Sequence, residues 1–171
     1  LSFMMRIISF IYFALLSTIL SLIVKKPDII FASSTPLTIT VPALISSKIR
    51  NRKLTLEIRD LWPEAPIQLG LLKNRWLILL AEALEKYAYK NASLIIAVSR
   101  GICQKIKCRF GNDVHFIPNG VDEEFYRLNA FHYPLKKERS RYPVHVIYAG
   151  SCGFNNAIEV IFKVAGLALK D

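Results

Sequence analysis

The sequence is poor in the residues that build metal centres and disulfide frameworks. In 171 residues it has three histidines and three cysteines, the latter being Cys103, Cys108 and Cys152. An odd number of cysteines at these spacings fits neither a zinc site nor a set of disulfides. The histidines stand singly, without the spacing of a ligand set. We therefore expect no metal and no cofactor, and reduced thiols of the kind found in cytosolic proteins.

Acidic residues are scarce as well, with 13 Asp and Glu against 23 Lys and Arg, for a formal net charge of +10. A basic chain favours nucleic acid, anionic lipid or phosphorylated small molecules as partners. The sequence has no RGG run, no RNP-like aromatic pattern, no zinc-finger spacing and no recognition-helix signature. No nucleic acid is therefore expected as a partner, which leaves lipid surfaces and phosphorylated compounds.

Hydrophobic residues make up 53% of the chain and its mean hydropathy is +0.32, which excludes a disordered protein. The most apolar segment covers residues 3–24, and the 18 residues from Ile7 to Val24 carry no charge. That length meets the lower limit for a membrane-spanning helix. The alternative is a helix that packs on a sheet and lies at a membrane surface. We favour the second interpretation because alternating strands and helices resume directly after Val24.

Short apolar runs alternate with amphipathic stretches along the rest of the chain. They predict strands at 29–32, 54–58, 94–98 and 114–117, and helices at 35–49, 74–91 and 99–110. This order is typical of an α/β protein with a doubly wound parallel sheet. In the helix at 74–91 the predicted core-facing residues are Trp76, Leu77, Leu80, Ala83, Leu84, Tyr87 and Ala88.

The carboxyl-terminal third has a different composition. The stretch from Glu123 to Arg141 is polar and basic and is interpreted as a linker, after which residues 144–150 predict a strand and residues from 155 onward a helix. We therefore expect a first domain over 1–127, a linker over 128–142 and the beginning of a second domain over 143–171.

One stretch carries most of the polar groups that point to chemistry. The strand predicted to end at Ile58 is followed by Arg59, Asp60 and Glu64, and by two prolines that exclude strand or helix interior. In open α/β sheets, ligands bind just beyond the carboxyl ends of the strands. The alternative is an ordinary strand-end turn, in which Arg59 forms a surface pair with Glu57 or Asp60 and Trp62 is buried under the loop.

Four motifs in order resemble the bacterial glycosyltransferases of family 4, in particular the branch that builds O-antigen, capsule or exopolysaccharide. They are Arg59-Asp60-Leu61-Trp62-Pro63-Glu64, Ser99-Arg100-Gly101, Ile117-Pro118-Asn119-Gly120-Val121-Asp122 and Tyr148-Ala149-Gly150. The resemblance implies the GT-B arrangement, in which two Rossmann-like domains face each other across a cleft. This chain would contain an incomplete amino-terminal, acceptor-side domain and the first β-α unit of the nucleotide-sugar domain.

The resemblance also implies roles for individual residues. Asp60 and Arg59 would be catalytic, although many relatives carry a His at the position of Arg59, so only the location is transferred. Glu64 would bind the acceptor or be merely solvated. Asn119 and Gly120 would contact the substrate or only set the backbone conformation where the chain leaves the strand, and we expect a positive φ at Gly120. Gly150 and Gly153 would allow close approach of the donor phosphates.

The implied reaction is transfer of a hexosyl or N-acetylhexosaminyl group from a nucleotide-sugar, with UDP as the expected nucleotide, to a lipid-linked saccharide. It would retain the anomeric configuration without a metal, at the cytoplasmic face of the inner membrane. The family's first strand with its glycine-rich loop and its late paired glutamates are not found in this sequence. We therefore expect a fragment that is inactive alone. The alternative function is a membrane-anchored α/β interaction protein without catalysis.

Overall fold

The computed structural model describes residues 3–130, 147–150 and 157–168, and the chain divides into two compact units, Leu1–Gly120 and Val121–Asp171. Each unit is described by itself. The elements of the first are α1 (Phe3–Ile23), β1 (Ile29–Ser33), a 3-10 turn (Leu37–Ile39), α2 (Thr40–Arg50), β2 (Lys53–Ile58), α3 (Glu64–Gln68), α4 (Arg75–Asn91), β3 (Leu94–Ala97), α5 (Arg100–Phe110) and β4 (His115–Phe116). The second contains α6 (Glu123–Ala130) and α7 (Ile158–Ala168).

The four strands form one sheet in the order β1-β2-β3-β4, and every neighbouring pair is parallel. Each connection between neighbouring strands contains a helix, as parallel pairing requires. The sheet with its flanking helices confirms the predicted α/β class and corresponds to a Rossmann-like domain. Because all strands run in the same direction, their carboxyl ends lie at one edge, which we call the carboxyl edge.

The core lies on β2, the most buried strand. Leu54, Leu56 and Ile58 are completely buried, and they share one face of the sheet because side chains alternate along a strand. Ile95 and Ala97 of β3 and Ile106 of α5 complete the same cluster. The rigid position of β2 matters for function because the loop that leaves its carboxyl end carries Arg59 and Asp60.

The helix predicted over 3–24 is observed as α1, and it packs on α2. The hydroxyls of Ser21 and Ser46 form a hydrogen bond across this contact. At its end, Arg50 Nη2 donates to the Val24 carbonyl at 2.7 Å. The outward side of α1 is apolar and exposed, and includes Ile8, Ile11, Tyr12, Leu15, Ile19 and Ile23. Within the described residues, no helix combines the length and the apolar character needed to cross a membrane.

Two predicted helix boundaries are confirmed in detail. The Asn74 side chain accepts hydrogen bonds from the backbone N–H groups of Trp76 and Leu77 at the start of α4, as an N-cap should. Ser99 does the same for Ile102 at the start of α5. Gly111 ends α5 with a φ of 72°, the left-handed conformation that glycine adopts after a helix.

The prediction that no helix follows Pro63 is wrong, because α3 forms there and contains Pro66. Pro63 is the N-cap residue and Pro66 lies in the first turn. The N–H groups of the first turn have no partner within a helix, so proline removes nothing there. The helix ends at Gln68, and the chain turns at Gly70 with a φ of 67°.

The predicted core-facing stripe of α4 is confirmed at Ala88, which is buried, and at Leu84, which packs against the core, but it is wrong at most of its other positions. Glu85, Ala88 and Tyr89 are buried, whereas the side chain of Trp76 is 80% exposed and that of Leu80 is 68% exposed. The buried carboxyl of Glu85 forms an ion pair with Arg109 of α5, with 3.3 Å between Glu85 Oε2 and Arg109 Nη1. Arg109 offsets part of the cost of burying this carboxyl, and Trp76 and Leu80 lie at the surface instead.

In the second unit the structure differs from the sequence-based interpretation at two places. The stretch taken as a linker begins with α6, which is capped by Asp122 through hydrogen bonds to the N–H groups of Glu124 and Phe125. Residues 147–150 of the predicted strand have no regular secondary structure, and residues 144–146 lie outside the described residues. The helix predicted near the end is observed as α7.

Candidate functional site

The carboxyl edge of the sheet brings together polar residues from the loops after β1 and β2. Asp60 is exposed directly after β2. Thr35, two residues beyond the end of β1, donates a hydrogen bond from Oγ1 to Asp60 Oδ2 at 3.5 Å. This long contact leaves most of the carboxylate accessible to a ligand. The side chain can therefore accept a hydrogen bond from a sugar hydroxyl.

The loops after β2 and β4 also meet at this edge. Arg59 Nη2 donates to Asn119 Oδ1 at 3.1 Å, a contact between residues 60 positions apart. The ion pairs of the described residues do not include Arg59. The alternative of a surface pair with Glu57 or Asp60 is therefore wrong. An exposed guanidinium without a carboxylate partner keeps donors free for a phosphate.

A second arginine lies on the loop after β3, where α5 begins. The guanidinium carbon of Arg100 lies 5.3 Å from the centre of the Phe116 ring, at the end of β4. Because β2 and β3 are paired, Arg59 and Arg100 follow adjacent strand ends, which are about 4.8 Å apart. Sequence reasoning did not propose Arg100 or Thr35 as site residues. The signal was present, because both follow a predicted strand by only a few residues.

The loop after β2 is anchored by the residues that follow Asp60. Pro63 is fully buried and Trp62 is half-buried. Glu64, the first residue of α3, binds Lys105 Nζ at 2.5 Å and Gln68 Nε2 at 2.8 Å. Its carboxylate lines a cavity of about 410 Å³ together with Ile67, Gln68, Glu82 and Arg109. The contacts of Glu64 thus join α3 to α5 and do not include Asp60.

The predicted positive φ at Gly120 is wrong. Among the described glycines, only Gly70 and Gly111 have positive φ. The chain leaves β4 in irregular conformation without reversing direction, so no left-handed residue is required there. An added Cβ at Gly120 would meet no atom within 4 Å.

This open space leads to a prediction for stability. Gly120→Ala should change the free energy of unfolding by no more than about 0.5 kcal/mol, because the site is exposed and unstrained. The matched control is Gly111→Ala, which should destabilise by about 1 kcal/mol because alanine disfavours a φ of 72°. Chemical denaturation of both variants measures the difference. Equal losses in the two variants would contradict it.

The predicted donor-side residues belong to the second unit. Gly150 is described, and a Cβ there would lie 2.7 Å from the Tyr148 hydroxyl oxygen. Gly153 lies outside the described residues. The contribution of both to donor binding stays a prediction.

The titratable groups with shifted pKa values, Glu85 and Tyr89, are buried between α4 and α5, away from the carboxyl edge. Burial raises the pKa of Glu85 to about 7, against the opposing effect of the nearby Arg109 and of a hydrogen bond with Tyr89. Burial and the neighbouring Glu85 raise the pKa of the Tyr89 hydroxyl. In the part of the chain that the structure describes, no group of three or more His, Cys, Asp or Glu residues could hold a metal.

Comparison with known proteins gives one match. The sequence profile described as Glycosyltransferase Family 4 matches residues 3–125, which include all four strands and the carboxyl edge. No curated protein and no solved structure matches the chain significantly.

Proposed function

The chain belongs to glycosyltransferase family 4, and we propose that it forms the acceptor side of an enzyme that moves a sugar to a lipid-linked saccharide. Membership of the family establishes transfer of a sugar from a donor to an acceptor. The finer assignment is ours: a hexosyl or N-acetylhexosaminyl group, a UDP-sugar donor, and a surface polysaccharide such as O-antigen, capsule or exopolysaccharide as the product.

The observation that carries this proposal is the exposed Asp60 beside the Arg59–Asn119 contact at the carboxyl edge. Asp60 would accept a hydrogen bond from the acceptor hydroxyl and orient it for attack. Arg59 would donate to a phosphate oxygen of the donor, while Asn119 holds its side chain in place. Developing negative charge on the leaving phosphate is stabilised by such preorganised donors. Glu64, Gly120, Gly150 and Gly153 stay secondary proposals for substrate contact.

In this proposal the anomeric configuration is retained and the leaving phosphate of the donor assists the attack. No protein nucleophile and no metal ion takes part. Asp60 then acts by positioning a hydroxyl and accepting its hydrogen bond, which suits a carboxylate in contact with solvent.

The location we propose is the cytoplasmic face of the inner membrane. The exposed apolar side of α1 supports it, together with Trp76 and Leu80 of α4. Exposed apolar patches of this kind mark protein or membrane contacts. The net charge of +10 adds attraction to anionic lipid headgroups.

The test is an assay of sugar transfer to lipid-linked acceptors, with a panel of UDP-sugars and detection of released UDP. A chimera that joins residues 1–120 to the donor-binding domain of an active family 4 enzyme supplies a complete donor side. We expect UDP release that depends on the acceptor lipid. A folded chimera without transfer, or with transfer only to water-soluble acceptors, would refute the proposed acceptor.

A further inference from the structure

A groove of about 360 Å³ lies between α1, β1 and α2 in the first unit. We call it the α1 groove. It follows β1 from Ile30 to Ser33, a distance of about 10 Å at the rise of a β-strand. Its walls consist mainly of hydrocarbon side chains, among them Phe13, Val24, Ile30, Ile39, Pro42 and Ala43.

Three of the four serines that line the α1 groove have hydroxyls already used within the protein, the exception being Ser33. Ser17 Oγ donates to the Phe13 carbonyl at 2.6 Å, and Ser21 Oγ donates to the Thr18 carbonyl at 2.7 Å. Ser46 is bound to Ser21. Ordered water needs two to four polar partners, and the hydrocarbon side chains that make up most of these walls offer none. The groove therefore favours an apolar ligand.

One end of the groove carries a positive charge with unused hydrogen-bonding capacity. Arg50, the last residue of α2, lines the groove and donates from Nη2 to Val24. Its Nε is buried without a hydrogen-bond partner, so a ligand would meet the terminal nitrogens of the guanidinium. The ion pairs of the described residues do not include it. Lys25 and Lys26 are exposed just beyond α1, at the same end of the sheet.

We propose that the α1 groove binds one hydrocarbon chain of a membrane lipid whose phosphate headgroup contacts Arg50. The combination of an apolar trough and an unpaired guanidinium fits an anionic amphiphile, since arginine donors match phosphate oxygens. This is a site separate from sugar transfer. Arg50 lies at the amino ends of the strands, whereas Asp60 lies at the carboxyl edge. The bound lipid anchors the domain and is not the acceptor that reacts.

A lipid is favoured over free phosphate because the groove itself contributes to binding. Each methylene removed from water should tighten binding about fourfold, which corresponds to ~0.8 kcal/mol. Free phosphate gains nothing from the hydrocarbon walls. A neutral amphiphile gains nothing from Arg50. Only a ligand with both parts uses the whole site.

Isothermal titration calorimetry of the full chain with water-soluble amphiphiles below their micelle concentration tests this site. Octyl phosphate should bind more tightly than hexyl phosphate, octyl glucoside or methyl phosphate. Ser17→Phe fills the groove from α1 and should abolish the dependence on chain length. Arg50→Gln should weaken the binding of octyl phosphate about tenfold or more and leave the affinity for octyl glucoside unchanged. Lys53→Gln, an equal change of charge at the amino end of β2 outside the groove, is the control and should behave as wild type.

Equal affinities for octyl phosphate and octyl glucoside, or equal losses in Arg50→Gln and Lys53→Gln, would overturn the proposal. Affinities that do not rise from hexyl to octyl phosphate in the wild type would overturn it as well. The measurement needs neither a sugar donor nor turnover. A chain that binds octyl phosphate while the chimera transfers no sugar would therefore refute the proposed function alone.

Discussion

Replacing Asp60 with asparagine should lower sugar transfer by about 100-fold to 1,000-fold, because a positioned carboxylate contributes that much when it orients or accepts a reacting hydroxyl proton. Asparagine has the same shape and can still accept the weak hydrogen bond from Thr35. The fold should therefore be preserved while the negative charge is lost. The measurement is UDP release by the chimera that carries residues 1–120, at saturating donor.

The matched control is Asp28→Asn, which removes an exposed carboxylate before β1, at the opposite end of the sheet. It changes the net charge of the domain by the same amount and should leave transfer unchanged. Thermal unfolding of both variants verifies that neither loses its fold. Equal rates for Asp60→Asn and wild type would show that Asp60 takes no part in the reaction.

The architecture of the first unit was predictable because local patterns and tertiary structure agree there. The short apolar runs at β1, β2 and β3 predict strands, and strands form there, although burial on both faces fails at Ile29 and Phe31 of β1, which are exposed. Asn74, Ser99 and Gly111 cap helices at the positions expected from their side chains. Each of these signals depends on residues within one or two turns of the chain, so no knowledge of distant contacts was needed.

The orientation of α4 was not predictable from the sequence. A count of apolar residues favours burial of Trp76 and Leu80, whereas the buried side includes Glu85 and Tyr89, which that count did not select. That arrangement depends on Arg109, which comes from the next helix in the chain. Hydrophobic periodicity contains no information about a partner 24 residues away.

The location of the candidate site was predictable, but its contacts were not. The rule that ligands bind at the carboxyl ends of parallel strands places Arg59 and Asp60 correctly at the carboxyl edge. The partners Asn119 and Thr35 are known only once the order β1-β2-β3-β4 is known. The expectation of a positive φ at Gly120 is wrong because it rests on the freedom of glycine alone, and the chain makes no turn there that requires it.

The ion pair between α4 and α5 leads to the prediction with the largest effect on stability. Glu85 is 1% exposed, and its surroundings contain Arg109, Tyr89, Glu82 and Glu64. Removal from water disfavours the carboxylate more than Arg109 favours it, so the pKa of Glu85 is raised from 4.5 to about 7. Between these two values the folded protein binds a proton that the unfolded chain has already released.

Stability should therefore fall as the pH rises from about 4.5 to about 7. At about 1.4 kcal/mol per unit of pKa shift, Glu85 should remove about 3 kcal/mol of the free energy of unfolding over this window. Above pH 7 both states are ionised and the contribution is constant. Glu85→Gln imitates the protonated acid and should remove this slope. Between pH 4.5 and pH 8, the free energy of unfolding of the variant should rise by about 3 kcal/mol relative to that of the wild type.

A control variant, Glu82→Gln, distinguishes the effect of burying a carboxyl from the effect of losing an ion pair with Arg109 on the pH dependence of stability. Glu82 also binds Arg109, with 3.4 Å between Arg109 Nη2 and Glu82 Oε1, but its side chain is 41% exposed. Solvent compensates its charge, so this variant should keep the pH dependence of the wild type. Urea denaturation at pH 4.5, 6 and 8 measures all three proteins. If Glu85→Gln retains the slope of the wild type, burial does not control the charge of Glu85. If Glu82→Gln loses the pH dependence of stability as completely as Glu85→Gln does, that dependence comes from the ion pairs of Arg109 and not from the buried carboxyl.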